Sequence, residues 1–345
     1  MKVSPAFYEK FIRPALFRLQ PETAHELATA ALESVSRSRF LLKLISMRQD
    51  TRLEKRVFGL KFANPVGLGA GFDKNAVALP AWQALGFGFI EAGTVTARAQ
   101  PGNLKPRIFR FPQQKALLNR LGFNNDGADA VAQRLALLKK SGLWPDIPVG
   151  INIGKSKVTP IEEATADYLL SFERLQHYGD YFVLNVSSPN TPNLRKLQDG
   201  AALGELFSHM QRRNSEHKPL LVKIAPDLEW EAIEEILALV KEHEIAGIIA
   251  TNTTIDHSAV VPPDQEPQQG GLSGEPLRKR STEIVNFIAS KSGIPVIAVG
   301  GIMDADAAME KFDAGAALVQ LYTGYVYRGP GLVGEICERL LARSK

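Results

Sequence analysis

The chain has a single cysteine, Cys337, in 345 residues. That excludes a disulfide framework and a cysteine-rich metal site, and it fits a reducing compartment. Histidine is scarce as well. His25, His177, His209, His217, His243 and His257 fall in helical or loop stretches without ligand spacing, so no metal site is expected. None stands at the end of a predicted strand, which disfavours a Ser-His-Asp hydrolase. No apolar run is long enough to span a bilayer, and the first residues lack the continuous apolar core of a signal peptide. The remainder is ordinary globular composition, 45% hydrophobic and 23% charged, sufficient for a large core.

The net charge of +4 is unevenly placed. Residues 1–56 hold eleven Lys or Arg against six Asp or Glu, whereas the other 289 hold 30 against 31. A near-neutral bulk argues against nucleic-acid binding, which needs a basic face at the site. The basic N-terminal segment is either a solvated helical face or a patch attracted to an anionic membrane surface.

From about residue 60 one theme repeats: a short apolar strand ends in polar or glycine residues, and an amphipathic helix follows. Strands are predicted over 65–70, 87–95, 149–153, 181–186, 220–224, 247–251, 295–299 and 318–322. Their continuous apolar character suits strands buried on both faces of a parallel sheet. Helices are predicted over 76–85, 128–140, 161–177, 229–243, 276–290, 305–314 and 330–342. Ile233, Ile236, Leu237 and Val240 show the three-and-four spacing of one buried face, and Asp227 or Asp304 could cap a helix start. Eight such units in about 280 residues predict a (β/α)8 TIM barrel of the α/β class over 46–345; an open doubly wound sheet is the alternative. Residues 1–45 form a separate helical segment, with helices expected over 5–19, broken or kinked by Pro14, and 21–36. Their apolar faces either pack on the barrel or rest on a membrane. Insertions stand at 96–125, where 107–111 alternates like a short antiparallel strand, and at 187–200, a candidate lid. Residues 260–274, rich in Pro, Gln and Gly, are expected to be mobile.

A barrel gathers its functional residues where strands end, and the sequence does so. Tyr181-Phe182-Val183-Leu184 runs into Asn185-Val186-Ser187-Ser188-Pro189-Asn190-Thr191-Pro192, a burst of amides and hydroxyls that can bind a planar polar ligand and place Ser187 or Ser188 against it. Asn119, Asn124, Asn152, Asn185, Asn190 and Asn252 could together read a ring of alternating C=O and N–H groups, such as a pyrimidine; one or two of them are expected to be turn residues, with 124–127 the obvious turn. Lys74 and Lys223 stand at strand ends among apolar residues. Each is a counter-charge for an anionic ligand or reduced cofactor, a salt-bridge partner of Asp73 or Asp227, or a Schiff-base former. Gly300-Gly301 and Tyr322-Thr323-Gly324 follow strands seven and eight, where barrels often bind phosphate.

Six motifs carry a resemblance. Ala70-Gly71-Phe72-Asp73-Lys74, Asn119-Arg120-Leu121-Gly122-Phe123-Asn124-Asn125, Asn185 to Pro192, Ala250-Thr251-Asn252-Thr253-Thr254, Gly270-Gly271-Leu272-Ser273-Gly274 and Val299-Gly300-Gly301-Ile302 resemble, in order, the dihydroorotate dehydrogenase family. The resemblance implies oxidation of (S)-dihydroorotate to orotate in pyrimidine biosynthesis, with flavin mononucleotide (FMN) as prosthetic group. Soluble relatives place a cysteine as base after strand four. Here that position is Ser188, and with the helical N-terminal extension this resembles the quinone-dependent class 2 enzymes. The resemblance implies Ser188 as the base at C5, with Thr191 and Phe123 along a proton exit path. It places the substrate among Lys74, Asn119, Arg120, Leu121, Gly122, Phe123, Asn185, Asn190, Asn252 and Thr253. It places FMN on Ala70, Gly71, Phe72, Asp73, Lys74, Thr94, Asn152, Asn185, Lys223, Thr251, Gly274, Gly301, Tyr322 and Thr323, with Lys223 near the N1 side and the phosphate on Gly274, Gly301 and Thr323. A quinone would reach the flavin past His25, Arg110 and Tyr322. The class implies a monomer held peripherally on the cytoplasmic face of the bacterial inner membrane. Dihydrouridine synthases, another flavin barrel, would need a basic face and a catalytic cysteine. A non-catalytic quinone- or membrane-binding module would not need the amides and lysines at the strand ends.

Overall fold

The computed structural model describes residues 4–261 and 269–343. Eight parallel strands close into a barrel, each hydrogen-bonded to the next in chain order and the last to the first. In chain order they are β3 (Val66–Leu68), β4 (Phe89–Val95), β7 (Val149–Ile153), β8 (Tyr181–Asn185), β9 (Leu220–Ile224), β10 (Gly247–Ala250), β12 (Val296–Val299) and β13 (Leu318–Leu321). All eight predicted strands are present, most of them a residue or two shorter, and closure removes the open-sheet alternative. Every residue of these strands is buried, the expected burial of a parallel sheet covered by helices on its outside.

Alternate residues of each strand face the barrel axis and stack in layers. The floor is apolar: Phe62, Phe89, Tyr181, Leu221, Ile249, Ile297 and Leu318 cluster there. The floor leaves no room for a Cβ at Gly150, where one would lie 2.0 Å from the Tyr181 ring. The layer above is polar and contains Glu91, Asn152, Asn185, Lys223 and Gln320, each no more than 6% exposed. Above that layer the barrel opens.

The floor is closed from outside by a hairpin absent from the sequence reading, β1 (Lys55–Val57) and β2 (Leu60–Phe62). Its turn residues Phe58 and Gly59 both have positive φ, 55° and 76°, the requirement of a type I′ turn. On the opposite side the 96–125 insertion forms β5 (Ile108–Phe111) and β6 (Ala116–Asn119), and β11 (Gly271–Gly274) completes an antiparallel sheet in the order β11-β6-β5. This corrects the expectation that 260–274 is mobile throughout: Leu272 and Gly274 pair with Leu118 and Ala116. Residues 262–268 of that stretch lie outside the described residues.

The helices differ from prediction mainly at their starts. Leu79–Ala84 begins three residues late, because the Asp73 carboxylate takes the Val77 and Ala78 N–H groups, at 2.9 Å each, in the preceding loop. The 161–177 helix divides into a 3₁₀ turn, Ile161–Glu163, and a helix, Ala164–Leu175. Asp304 caps its helix through Ala307 N at 2.8 Å; Asp227 does not, being bound to Arg195. Helices Gly200–Arg213 and Arg39–Ile45 were not foreseen. The first N-terminal helix is not broken at Pro14: α-helical Pro5–Phe7, a π-type turn Tyr8–Ile12 and α-helical Arg13–Arg18 follow one another directly, and Pro14 stands just after the π-type turn, an irregularity that a missing N–H favours. Pro21–Ser36 forms as expected.

Candidate active site

The barrel mouth is a cavity of about 960 Å³, counted to its opening. Of the residues singled out from sequence it is lined by Ala70, Gly71, Lys74, Thr94, Asn119, Leu121, Gly122, Phe123, Asn185, Ser188, Asn190, Lys223, Thr251, Asn252, Thr253, Gly274, Gly301, Tyr322 and Thr323. Residues 253 positions apart in sequence thus meet in one mouth.

Four others stand apart. Asn152 lies just beneath, its amide donating to Glu91 at 2.7 Å and accepting from Thr94 Oγ1 at 2.6 Å and Asn185 Nδ2 at 3.1 Å. Phe72 and Asp73 face away: the Phe72 ring packs on Trp82, Tyr325 and His25, and Asp73 also accepts from Trp82 Nε1 at 3.1 Å. Arg120 turns outward, donating to Pro106 O with its guanidinium over Phe109.

The hydroxyl ambiguity resolves. Ser187 Oγ is tied down, accepting from Asn252 Nδ2 at 2.9 Å and donating to Asn185 Oδ1 at 3.2 Å. Ser188 lines the cavity, and among the described residues its Oγ accepts only a backbone bond, from Asn190 N at 3.2 Å. Next to it Thr191 Oγ1 is buried and, among the described residues, without a hydrogen-bond partner. The loop carrying them is pinned: Arg195 donates to Ser187 O at 3.0 Å, Asp227 at 2.8 Å and Thr253 O at 3.0 Å. The amides are pre-set too, with Asn190 Nδ2 on Asn119 at 3.2 Å and Asn252 Nδ2 on Asn185 at 3.2 Å. Asn124 lies outside the mouth; Asn125 is the turn residue, holding Thr96 N and Gly127 N.

The salt-bridge reading of the two lysines fails, because Asp73 and Asp227 are committed elsewhere. Among the described residues neither Lys74 nor Lys223 has an ion pair, although both line the cavity. Burial pushes the Lys74 ammonium down to about 8, with Arg107 adding to the fall and Glu22 opposing it. Burial also lowers Lys223, against the pull of Glu91. Two cations poised without partners suit an anionic ligand.

Sequence reasoning gave Glu91 and Gln320 no role. Gln320 Nε2 donates to the Glu91 carboxylate, while Gln320 Oε1 is buried at the cavity edge without a partner among the described residues. The available signal was a lone polar residue inside an otherwise apolar strand, which must be satisfied from within the barrel.

A second cavity, 1350 Å³ counted the same way, lies between the N-terminal helices and the barrel. Its walls include Ile12, Leu16, Ala24, Ala28 and Leu32, and all three proposed tunnel residues, His25, Arg110 and Tyr322. Tyr322 belongs to both cavities. Arg110 donates to Phe17 O at 3.2 Å and Leu19 O at 3.0 Å. Burial, helped by the Lys74 charge, pushes the His25 imidazole down to about 3, so it is neutral at physiological pH.

With this geometry in place, comparison with known proteins decides the family. The sequence pattern described as "Dihydroorotate dehydrogenase" matches residues 52–343. The chain belongs to the dihydroorotate dehydrogenase family. It is 54% identical over 338 residues to the dihydroorotate dehydrogenase (quinone) of Gloeobacter violaceus, covering 97% of this chain and 94% of that one. With the enzyme of the same name from Christiangramia forsetii it shares 48% identity over 345 residues, covering 98% and 99%. Among solved structures, the ligand-free dihydroorotate dehydrogenase of Eimeria tenella superposes with a TM-score of 0.84 at 35% identity, covering 94% of each chain. The Eimeria tenella enzyme in complex with ferulenol gives 0.83.

Proposed function

We propose that the protein oxidises (S)-dihydroorotate to orotate using FMN and passes the electrons to a membrane quinone. The observation that carries this reading is one polar cavity holding Ser188, the amides of Asn119, Asn190 and Asn252, and two unpaired lysines, adjoining an apolar cavity through Tyr322.

The cavity's donor set fits a flavin. Lys223 offers positive charge at its inner end, and Gln320 Oε1 offers an unfilled acceptor. Thr94, Asn185 and Thr251 offer polar edges, and Gly274, Gly301 and Thr323 line the corner after β12 and β13 where barrels hold phosphate. When bound there, FMN supplies a two-electron acceptor. Lys74 neutralises the substrate carboxylate. Asn119, Asn190, Asn252 and Thr253 orient the ring, so that Ser188 Oγ stands against the carbon that loses a proton. A serine hydroxyl is a weak base. No carboxylate or imidazole bonds to it among the described residues, so its proton must leave through water beside Thr191 and Phe123.

Residues 1–45 serve as the quinone entrance. Phe7, Phe11 and Leu27 are half-exposed or more and Phe40 is 75% exposed; Lys10, Arg37, Arg39 and Lys43 lie among them. Apolar side chains ringed by cations suit the interface of an anionic bilayer. No helix of the described residues is long and apolar enough to cross one, so the proposed attachment is peripheral, on the cytoplasmic face of the bacterial inner membrane. The test is purification followed by turnover with a soluble quinone. A yellow protein that forms orotate is expected; a colourless one that forms none would contradict the reading.

A further inference from the structure

Lys311, in the helix Ala305–Asp313, is 0% exposed and takes no part in the chemistry above. Its ammonium donates to Arg278 O at 3.0 Å, to Ser281 Oγ and to Thr282 Oγ1 at 2.6 Å. All three acceptors lie in the first turns of the helix Arg278–Ser292, and all three are neutral. The acids whose charge reaches it, Glu310 and Glu275, are both ion-paired to Arg278 instead. With no carboxylate in contact, burial pushes this ammonium down to about 7 despite Glu310 and Glu275, and a further anion brought near would raise it again.

What lies beside this cluster is the loop after β12. Ser281 Oγ, which accepts from Lys311, donates to Gly300 O at 2.9 Å. Gly301, with φ of 72°, presses so closely on the helix start that a Cβ there would lie 2.2 Å from Arg278 Cα. Gly300, Gly301 and Leu277 all line the barrel cavity. The ammonium therefore stands one hydroxyl behind the corner assigned to phosphate, at a helix start whose N–H groups carry partial positive charge.

We propose that Lys311 is a positioning residue and buried counter-charge for a phosphate monoester in that corner. It fixes the Gly300-Gly301 loop through Ser281 and adds through-space attraction for a dianion that it never touches. The proposal rests on the FMN reading and deepens it.

The test is binding, not turnover. The full chain, stripped of flavin, is titrated by flavin fluorescence with FMN and separately with riboflavin, which lacks the phosphate. The unsubstituted protein should prefer FMN; equal affinities would remove the phosphate reading itself. If it prefers FMN, Lys311→Met should weaken FMN at least about tenfold, the order expected for removing one charge near another in a protein, while riboflavin changes less than about twofold. Equal weakening of both flavins, or of neither, would overturn the proposal. Should Lys311→Met fail to fold, Ser281→Ala decides: a selective loss of FMN affinity supports the link, and an unchanged FMN-to-riboflavin ratio refutes it.

Discussion

The two cavities share one tyrosine and little else. The barrel mouth is built from strand ends, and its polar atoms hold one another in place: Asn190 on Asn119, Asn252 on Asn185, Arg195 clamping the Ser188 loop. The N-terminal cavity is built from helix faces, its walls are apolar, and its only histidine is neutral. The contrast teaches a division of labour. Stabilising developing charge needs dipoles fixed in advance, whereas admitting a lipid-soluble molecule needs apolar surface and an opening. Tyr322 is where the two requirements meet, its hydroxyl toward Gly71 O at 3.4 Å and its ring on Phe72.

Substitutions on each side should separate the two half-reactions. The largest effect is expected from Ser188→Ala: losing a general base costs about 10²–10⁴-fold, so flavin reduction by dihydroorotate should nearly vanish while flavin content holds. Unchanged turnover would refute the assignment of the base. Next comes Lys74→Met, which removes a charge-assisted contact worth about 1.5–3 kcal/mol and should raise the KM for dihydroorotate roughly 10–100-fold while leaving the KM for quinone near its starting value.

On the apolar side, Ala28→Phe fills the cavity wall. Quinone-dependent reoxidation should slow by about tenfold, a loss near the 1.4 kcal/mol that one decade represents, with flavin reduction by substrate intact. Deleting residues 1–40 is the coarser form of the same test; equal loss in both half-reactions would mean that the segment only supports folding.

The smallest effect is on pH. Lys74, lowered to about 8, is cationic below that value and neutral above it, so the KM for dihydroorotate should rise as pH passes upward through about 8. His25, at about 3, stays neutral throughout, so reoxidation by quinone should show no histidine titration between roughly pH 5 and 8. A single shared pH profile for both half-reactions would blur the division.

The barrel was legible because buried parallel strands read as apolar runs with polar ends, and those ends fell where the mouth is. Lys74, Asn252 and the pair Ser187 and Ser188 stood out because polar residues at a strand end have few structural uses, and Lys74, Asn252 and Ser188 line the mouth; the choice of Ser188 came from the family resemblance. Glu91 and Gln320 were given no role: each is one polar residue within an apolar run, and only the alternation around a closed barrel turns it inward. The β1–β2 hairpin was missed because three-residue strands are too short to show periodicity. The strand Gly271–Gly274 was missed because its glycines signal a turn, while pairing with β6 overrides that signal. Arg120, Phe72 and Asp73 entered as motif neighbours of lining residues, although their own side chains point elsewhere.

The central claim is that electrons enter through the polar mouth and leave through the apolar cavity. Its most direct test is anaerobic mixing of the purified full-length protein with dihydroorotate, followed by addition of quinone or of fumarate, while flavin absorbance is watched. The account predicts bleaching by dihydroorotate, rapid return of colour with quinone, and none with fumarate. A flavin that dihydroorotate does not bleach, or one that fumarate reoxidises as readily as quinone, would contradict it.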